Sequence, residues 1–265
     1  MSPVDWHALR AAASLAPAAP RRTLVVAGTD VGSIESMLAE RLLGAGLPLR
    51  VSDDGTIAVD GPADTSLALV AQWLHEHGHA GRWRNELLPV CGANQRCIAR
   101  IERAVVRPLG IATHAVHLVG WAEGASERSQ WLQQRAFDKA TDAGLWDTMV
   151  GGLMAADESA AQALERECWE EAGLHVADLG AVQHAGLVTV RRPVQDSGTG
   201  GYMVEHIRAM HCMVAKSLVP LNRDGEVERF ECLSPIEVDA RIAAGAVTLE
   251  AALVIERCRA ILSVS

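Results

Sequence analysis

The 265-residue sequence lacks a long uninterrupted apolar run. Its longest apolar stretches, Ile111–Ala122 and Leu249–Ile255, contain polar residues and fall short of the roughly 20 residues that a membrane span requires. The segment Met1–Ala19 has an acid at Asp5 and no continuous apolar core, which argues against a secretory signal. These absences lead us to expect a cytoplasmic protein without a membrane partner.

Positive charge is also scarce. The chain has 24 Lys and Arg residues against 33 Asp and Glu residues, a formal net charge of −9 at pH 7. Because an acidic chain without a basic run binds nucleic acid and anionic lipid poorly, we expect neither partner. A polyanionic ligand such as a diphosphate would need its charge offset locally, and a divalent metal ion is the usual means.

Metal-binding cysteine pairs are missing as well. The six cysteines form no Cys-x-x-Cys pair, Cys91 and Cys97 have no common zinc-site spacing, and the sequence His-Glu-x-x-His is absent. We therefore expect no zinc site and reduced, mostly buried thiols. The segment Cys97–Val106 is predicted to form a helix.

The chain divides near residues 108–112, where a Pro-Leu-Gly sequence separates two patterns. We predict a small α+β N-terminal domain over residues 1–108 and a mixed β/α domain over residues 109–265. In the first, Asp54-Gly55 lies between two short β-rich segments and predicts a hairpin. In the second, Ser159–Ala172 has the strongest helical pattern and follows Gly151-Gly152.

The helix predicted over Ser159–Ala172 carries acids where they reduce its stability. Asp157 is suited to the N-cap, and Gly173 is suited to the position that ends the helix. Four acids fall in its last two turns: Glu165, Glu167, Glu170 and Glu171. Near the negative end of the helix dipole, each costs about 0.3–1 kcal/mol. Such a cluster is either a solvated face or a site for a hard cation.

Helical spacing favours the cation site. Glu170 and Glu171 follow Glu167 by three and four positions, so the three carboxylates share one face. Arg166 can pair with Glu170, but one cation cannot balance four carboxylates. Bound Mg²⁺ or Mn²⁺ would convert the repulsion into coordination.

The complete spacing resembles the Nudix box. Five residues separate Gly152 from Glu158, and seven more precede Arg166-Glu167, which is followed by Glu170-Glu171 and Gly173-Leu174. Cys168 is the one soft departure, because the family usually has an aliphatic residue there. The resemblance implies an α+β protein, a Nudix α/β/α sandwich with a mixed sheet, preceded here by the small N-terminal domain. It also implies metal-dependent hydrolysis of a diphosphate.

The resemblance also implies roles for residues of the box. Three carboxylates would be ligands of Mg²⁺ or Mn²⁺: Glu167, Glu170 and Glu171. Arg166 would orient these carboxylates, and Glu158 would support the site from the start of the helix. Gly151 and Gly152 would let the loop approach the metal and the phosphate closely. The identity of the general base stays open.

Three residues outside the box have two interpretations each. Arg135 and Lys139 either clamp the diphosphate or are ordinary surface cations. Glu226 is either a further metal ligand or base, or a solvated residue after the turn at Asp224-Gly225.

The flanking segments resemble a narrower group. Trp83–Val90, the lead-in from Arg135 to Gly152, and Pro220–Val227 are similar to Nudix hydrolases with an extra N-terminal domain, akin to the Nudix part of fungal thiamine pyrophosphokinases. This implies hydrolysis of thiamine diphosphate, or its oxidised analogues, to a monophosphate and phosphate. The alternatives are hydrolysis of ADP-ribose or nucleotide sugars, and a non-catalytic diphosphate-binding module. The partner is then a small-molecule diphosphate, with a homodimer left open.

Overall fold

A computed structural model describes residues 3–93, 96–124, 128–194 and 200–262. The first part of the chain contains three helices and six strands, in the order α1 (Trp6–Ala12), β1 (Arg21–Val26), β2 (Thr29–Glu35), α2 (Ser36–Gly44), β3 (Leu49–Val51), β4 (Ile57–Val59), α3 (Ala63–Glu76), β5 (Leu87–Cys91) and β6 (Cys97–Glu102). Four of the strands form a sheet in the order β2-β1-β4-β3, and β5 pairs with β6. This part is therefore small and α+β, as predicted.

The predicted hairpin at Asp54-Gly55 is confirmed. Strands β3 and β4 pair in antiparallel fashion, with Val51 opposite Ile57. The Asp54 carboxylate accepts hydrogen bonds from the backbone N–H and the hydroxyl of Thr56, and Gly55 has a φ of +83°. The local sequence therefore determines this turn.

The helix predicted over Cys97–Val106 is wrong. Residues Cys97–Glu102 form strand β6, which lies antiparallel to β5 with Arg100 opposite Pro89. Ile101 is buried in the core of this part of the chain, whereas the guanidinium of Arg100 pairs with Asp64 on α3 at 3.4 Å. The spacing of three between Ile98 and Ile101 suits a helix, but packing of the strand against α3 decides the outcome.

The pairing of β5 with β6 also contradicts the expectation that all the cysteines are reduced. Cys91 and Cys97 lie opposite each other with their Cα atoms 4.0 Å apart, and they form a disulfide. Three of the other cysteines are free and buried, as expected: Cys168, Cys212 and Cys258. Cys232 is free and exposed.

The second part of the chain contains the larger sheet. Its elements are β7 (Thr113–Ala122), β8 (Gln130–Arg135), β9 (Trp146–Asp147), β10 (Val150–Leu153), α4 (Ala160–Ala172), β11 (Gln183–Val194), β12 (Gly201–Val214), β13 (Val227–Leu233), α5 (Pro235–Ala243) and α6 (Leu249–Leu262). The strand order is β11-β12-β7-β8-β13, with β10 added on β7 and β9 on β8. Strands β7 and β12 are parallel and their other neighbours are antiparallel, so the sheet is mixed.

Helices cover both faces of this sheet, which confirms the α/β/α sandwich. Val116 and Leu118 of β7 pack in a core with Leu164 of α4. Ala115 and Val119 alternate with them and pack in a second core with α6. Helix α1 joins this second core. In the described part of the chain, no helix is long and apolar enough to cross a membrane.

Candidate active site

Helix α4 begins later than its sequence suggested. Ser159, not Asp157, is the N-cap, and it forms a capping box with Gln162, whose backbone N–H donates to Ser159 Oγ at 3.3 Å. Gly173 ends the helix with a φ of +63°, as predicted. Glu158 therefore lies in the loop before the helix, where its carboxylate accepts a hydrogen bond from Ala155 N–H at 3.0 Å.

Arg166 gathers three of the predicted carboxylates. Its Nε and one terminal nitrogen donate to the two oxygens of Glu158 at 2.6 and 2.9 Å. The other terminal nitrogen donates to Glu167 at 2.7 Å and Glu170 at 3.1 Å. The hydrogen bond with Glu158 raises the pKa of Arg166 and lowers that of Glu158. Arg166 thus fixes these side chains relative to the helix, and the expected Arg166–Glu170 pair is present.

Glu171 turns away from Arg166 and is nearly inaccessible, with 3% of its surface exposed. One carboxylate oxygen accepts hydrogen bonds from Gly151 N–H at 2.9 Å and Gln133 Nε2 at 3.0 Å. Burial raises the pKa of Glu171 well above its usual range, and the nearby Glu167 adds to the shift. Burial also raises the pKa of Glu167 to about 7. The buried Glu171 and the partly buried Glu167 therefore have too little positive charge around them.

This donor set fits a hard divalent cation. Mg²⁺ and Mn²⁺ prefer carboxylate oxygens, and such an ion would supply the charge that Glu167 and Glu171 lack. Within the described residues, no three acidic, His or Cys side chains are already arranged around one point. Arg166 holds Glu167 and Glu170, while Glu171 faces Gly151, so coordination by all three requires their side chains to move.

The two glycines before the loop leave room for side chains of the site. A Cβ on Gly152 would lie 1.9 Å from Oε1 of Glu167, and a Cβ on Gly151 would lie 2.8 Å from the His117 ring. The sequence had led us to expect that these glycines make room for metal and phosphate. In the structure, the absence of a Cβ on Gly152 makes room for Glu167, and its absence on Gly151 makes room for His117.

A cavity of about 790 Å³ brings most of the candidate residues together. Its walls include seven of them: Arg135, Lys139, Gly151, Gly152, Glu167, Glu171 and Glu226. The Lys139 ammonium pairs with the Glu226 carboxylate. Arg135 donates to Asp147 at 3.5 Å and to the Thr141 carbonyl at 3.2 Å. The remaining three are joined by the hydrogen bonds of Arg166 but are not part of the described cavity lining: Glu158, Arg166 and Glu170.

A family model described as the NUDIX domain matches residues 115–253. The chain belongs to the Nudix family. It is 29% identical over 180 residues to Nudix hydrolase 20, chloroplastic, of Arabidopsis thaliana, a match that covers 67% of this chain and 47% of the relative. It is 28% identical over 174 residues to Nudix hydrolase 24, chloroplastic, of the same plant, covering 65% and 47%. The chain thus spans about half the length of these curated relatives.

Among solved structures, the crystal structure of DR0079 from Deinococcus radiodurans has 20% sequence identity and a TM-score of 0.47. That match covers 64% of this chain and 98% of the other.

Residues from outside the Nudix domain also line the cavity. Four arginines precede the matched region: Arg82, Arg84, Arg103 and Arg107. Burial alone would raise the pKa of Glu226, but Lys139, followed by Arg84 and Arg103, lowers it. The sequence contained Arg84 in a segment shared with the narrower group, yet no local pattern indicated that it faces the Nudix carboxylates. Asp147, Gln133 and His117 were missed for the same reason.

Proposed function

We propose that this chain is a metal-dependent pyrophosphohydrolase that cleaves the diphosphate of a small molecule. The observation that carries the proposal is a pair of neighbouring carboxylates, the buried Glu171 and the partly buried Glu167, beside Gly151-Gly152 on the wall of a large cavity. Basic side chains line the same cavity and can offset the charge of a diphosphate. The carboxylates of the box are all present, whereas their loss would favour a Nudix module that only binds its ligand.

The chain's own residues would divide the work as follows. Glu167, Glu170 and Glu171 would hold Mg²⁺ or Mn²⁺, which when bound screens phosphate charge and acidifies water. Arg166 keeps Glu158, Glu167 and Glu170 in place, and Gln133 with Gly151 N–H orients Glu171.

Two further groups complete this division of roles. Lys139 keeps Glu226 ionised at the cavity wall, where its carboxylate can accept a proton from water. Arg135 lies beside Asp147 on the cavity wall, where its guanidinium can contact a phosphate oxygen.

For the substrate, we propose thiamine diphosphate or an oxidised analogue, cleaved to the monophosphate and orthophosphate. The similarity of Trp83–Val90 and Pro220–Val227 to the Nudix part of fungal thiamine pyrophosphokinases supports this choice. The position of Arg84 and Glu226 on the cavity wall adds support, because each of these segments contributes a residue to the candidate site.

A substrate panel tests the proposal. The purified chain would be assayed with Mg²⁺ or Mn²⁺ on thiamine diphosphate, its oxy and oxo analogues, ADP-ribose and a nucleotide sugar. We expect the highest kcat/KM on a thiamine compound, with release of orthophosphate. A preference for ADP-ribose, with two monophosphates as products, would support the hydrolase activity but exclude thiamine diphosphate as the substrate. Binding without turnover of any compound would reject the hydrolase.

The arginines that precede the Nudix domain provide a separate prediction. Changing Arg84 to Gln removes an exposed cation near Glu226, and we expect KM to rise about two- to fivefold because exposed charge interactions are worth up to about 1 kcal/mol. The kcat should change less than KM. Steady-state kinetics would measure both, with Arg50→Gln as the control, since Arg50 is an exposed arginine paired with Asp60. An unchanged KM at low ionic strength would contradict a role for Arg84 in attracting substrate.

A further inference from the structure

A buried histidine on the cavity wall has an unused acceptor. The Thr148 hydroxyl donates to the Val150 carbonyl at 2.9 Å, so its oxygen must accept the hydrogen bond from His117 Nδ1, at 3.0 Å. Asp147 lies 3.5 Å from the same nitrogen and favours a proton there. Nε2 consequently carries a lone pair, and no partner lies within hydrogen-bond distance of it in the described chain. His117 is 7% exposed and lines the cavity.

Two carboxylates on the same cavity wall also have few donors. Glu205 on β12 lies opposite Thr113 of β7, whose hydroxyl is 3.2 Å from its carboxylate. Glu250, in the first turn of α6, is 8% exposed and has Arg192 at 3.4 Å. Burial raises the pKa of both, and the Glu205 carboxylate raises that of Glu250 further. Arg107 and Arg103 offset part of the rise in the pKa of Glu205, and Arg192 offsets part of the rise in the pKa of Glu250.

The sheet register arranges these acceptors relative to the diphosphate site. His117 on β7 lies directly opposite Gly151 on β10, which donates to Glu171. Thr113, and with it Glu205, lies four residues earlier on β7, about 13 Å from His117 along an extended strand. The row of acceptors therefore begins at the proposed diphosphate site and extends away from it, which leaves room for a ring system.

We propose that His117, Glu205 and Glu250 form a subsite that binds the leaving group of the substrate through its hydrogen-bond donors or positive charge. An amino-substituted or cationic heteroaromatic ring has the matching chemistry. Hydrogen bonds to charged acceptors in a partly enclosed cavity are stronger than those between neutral groups, so a ligand that supplies donors to these acceptors is favoured. A site of this kind also rejects analogues that lack the donors. The inference rests on the proposed hydrolysis in the same cavity and adds the residues that select the leaving group.

The test compares two diphosphates that differ only in the group they carry. Thiamine diphosphate offers a cation and an amino group, whereas methyl diphosphate offers neither. We expect Glu205→Gln and Glu250→Gln to lower the ratio of their kcat/KM values about tenfold or more, as charged hydrogen bonds warrant. His117→Phe keeps a planar ring beside Gly151 and serves as a further variant should a Glu variant not fold. Glu40→Gln, an exposed change on α2, is the control.

The outcomes separate this inference from the proposed function. If the wild type hydrolyses both compounds and the ratio stays within twofold in all three variants, the subsite is wrong and the hydrolase stands. If the wild type hydrolyses neither, the proposed cleavage of thiamine diphosphate is wrong, and titration calorimetry with thiamine itself decides on the subsite. Thiamine binding that weakens about tenfold in the variants supports the subsite. Absent or unchanged binding overturns it.

Discussion

Replacing Glu171 with Gln is expected to lower kcat by about 100-fold or more, because loss of a residue that merely orients a metal ligand already costs about 10–100-fold. The amide keeps the shape of the carboxylate but offers a cation no negative charge. Thermal stability should not fall. Glu171 is buried next to Glu167, so its carboxylate loses hydration and is repelled by the neighbouring charge. A neutral side chain at this position avoids both costs.

A matched control lies on the same helix. Glu165 is 46% exposed and accepts hydrogen bonds from His175 and from Val176 N–H, away from the cavity. Glu165→Gln should keep kcat within about twofold, as is usual for changes of exposed side chains. Steady-state assays with saturating Mg²⁺, together with melting curves, would measure both variants. If Glu171→Gln retained wild-type kcat, Glu167 and Glu171 could not have the catalytic role proposed for them.

Gly152→Ala is expected to reduce kcat by about 100-fold, because misplacing a reacting group by 1 Å can have an effect of that size. The new Cβ would lie 1.9 Å from Oε1 and 2.1 Å from Cδ of Glu167. Glu167 would have to leave the position in which Arg166 holds it at 2.7 Å. We also expect a loss of about 1–3 kcal/mol in the free energy of unfolding, as for other overpacked sites.

Gly44→Ala provides the control for this steric argument. Gly44 ends helix α2, and a Cβ there would meet no atom within 4 Å. Its replacement should leave kcat unchanged and stabilise the chain by up to about 1 kcal/mol through helix propensity. Urea unfolding and the phosphate-release assay would be run on both variants. Normal turnover by Gly152→Ala would contradict the close packing of Gly152 against Glu167.

Local sequence determined much of the carboxylate site. The spacing of Glu167, Glu170 and Glu171, the Arg166 pair and the terminal Gly173 all follow from the period of one helix, so they could be predicted. The start of the helix was misplaced because Asp157 and Ser159 can both cap. Ser159 with Gln162 three residues later was the deciding pattern, since it permits the reciprocal capping box.

The remaining parts of the site depend on contacts between distant segments. Glu205 reaches Thr113 only through the parallel pairing of β12 with β7, and Glu250 comes from a helix near the end of the described chain. Arg84 helps to lower the pKa of Glu226, although more than half the sequence separates the two residues. Neither periodicity nor spacing specifies such pairings. The bond between Cys91 and Cys97 was missed for a local reason, because the sequence pattern predicts a helix over Cys97–Val106 and not a strand paired with β5.

The most direct test of the central claim is a ³¹P NMR time course of the purified chain with thiamine diphosphate and Mg²⁺, with and without a chelator. We expect the two coupled diphosphate signals to disappear, and monophosphate and orthophosphate signals to replace them, only in the sample without chelator. Persistence of the diphosphate signals with Mg²⁺ present would contradict cleavage of this substrate. Equal cleavage in the chelated sample would contradict the role assigned to Glu167, Glu170 and Glu171.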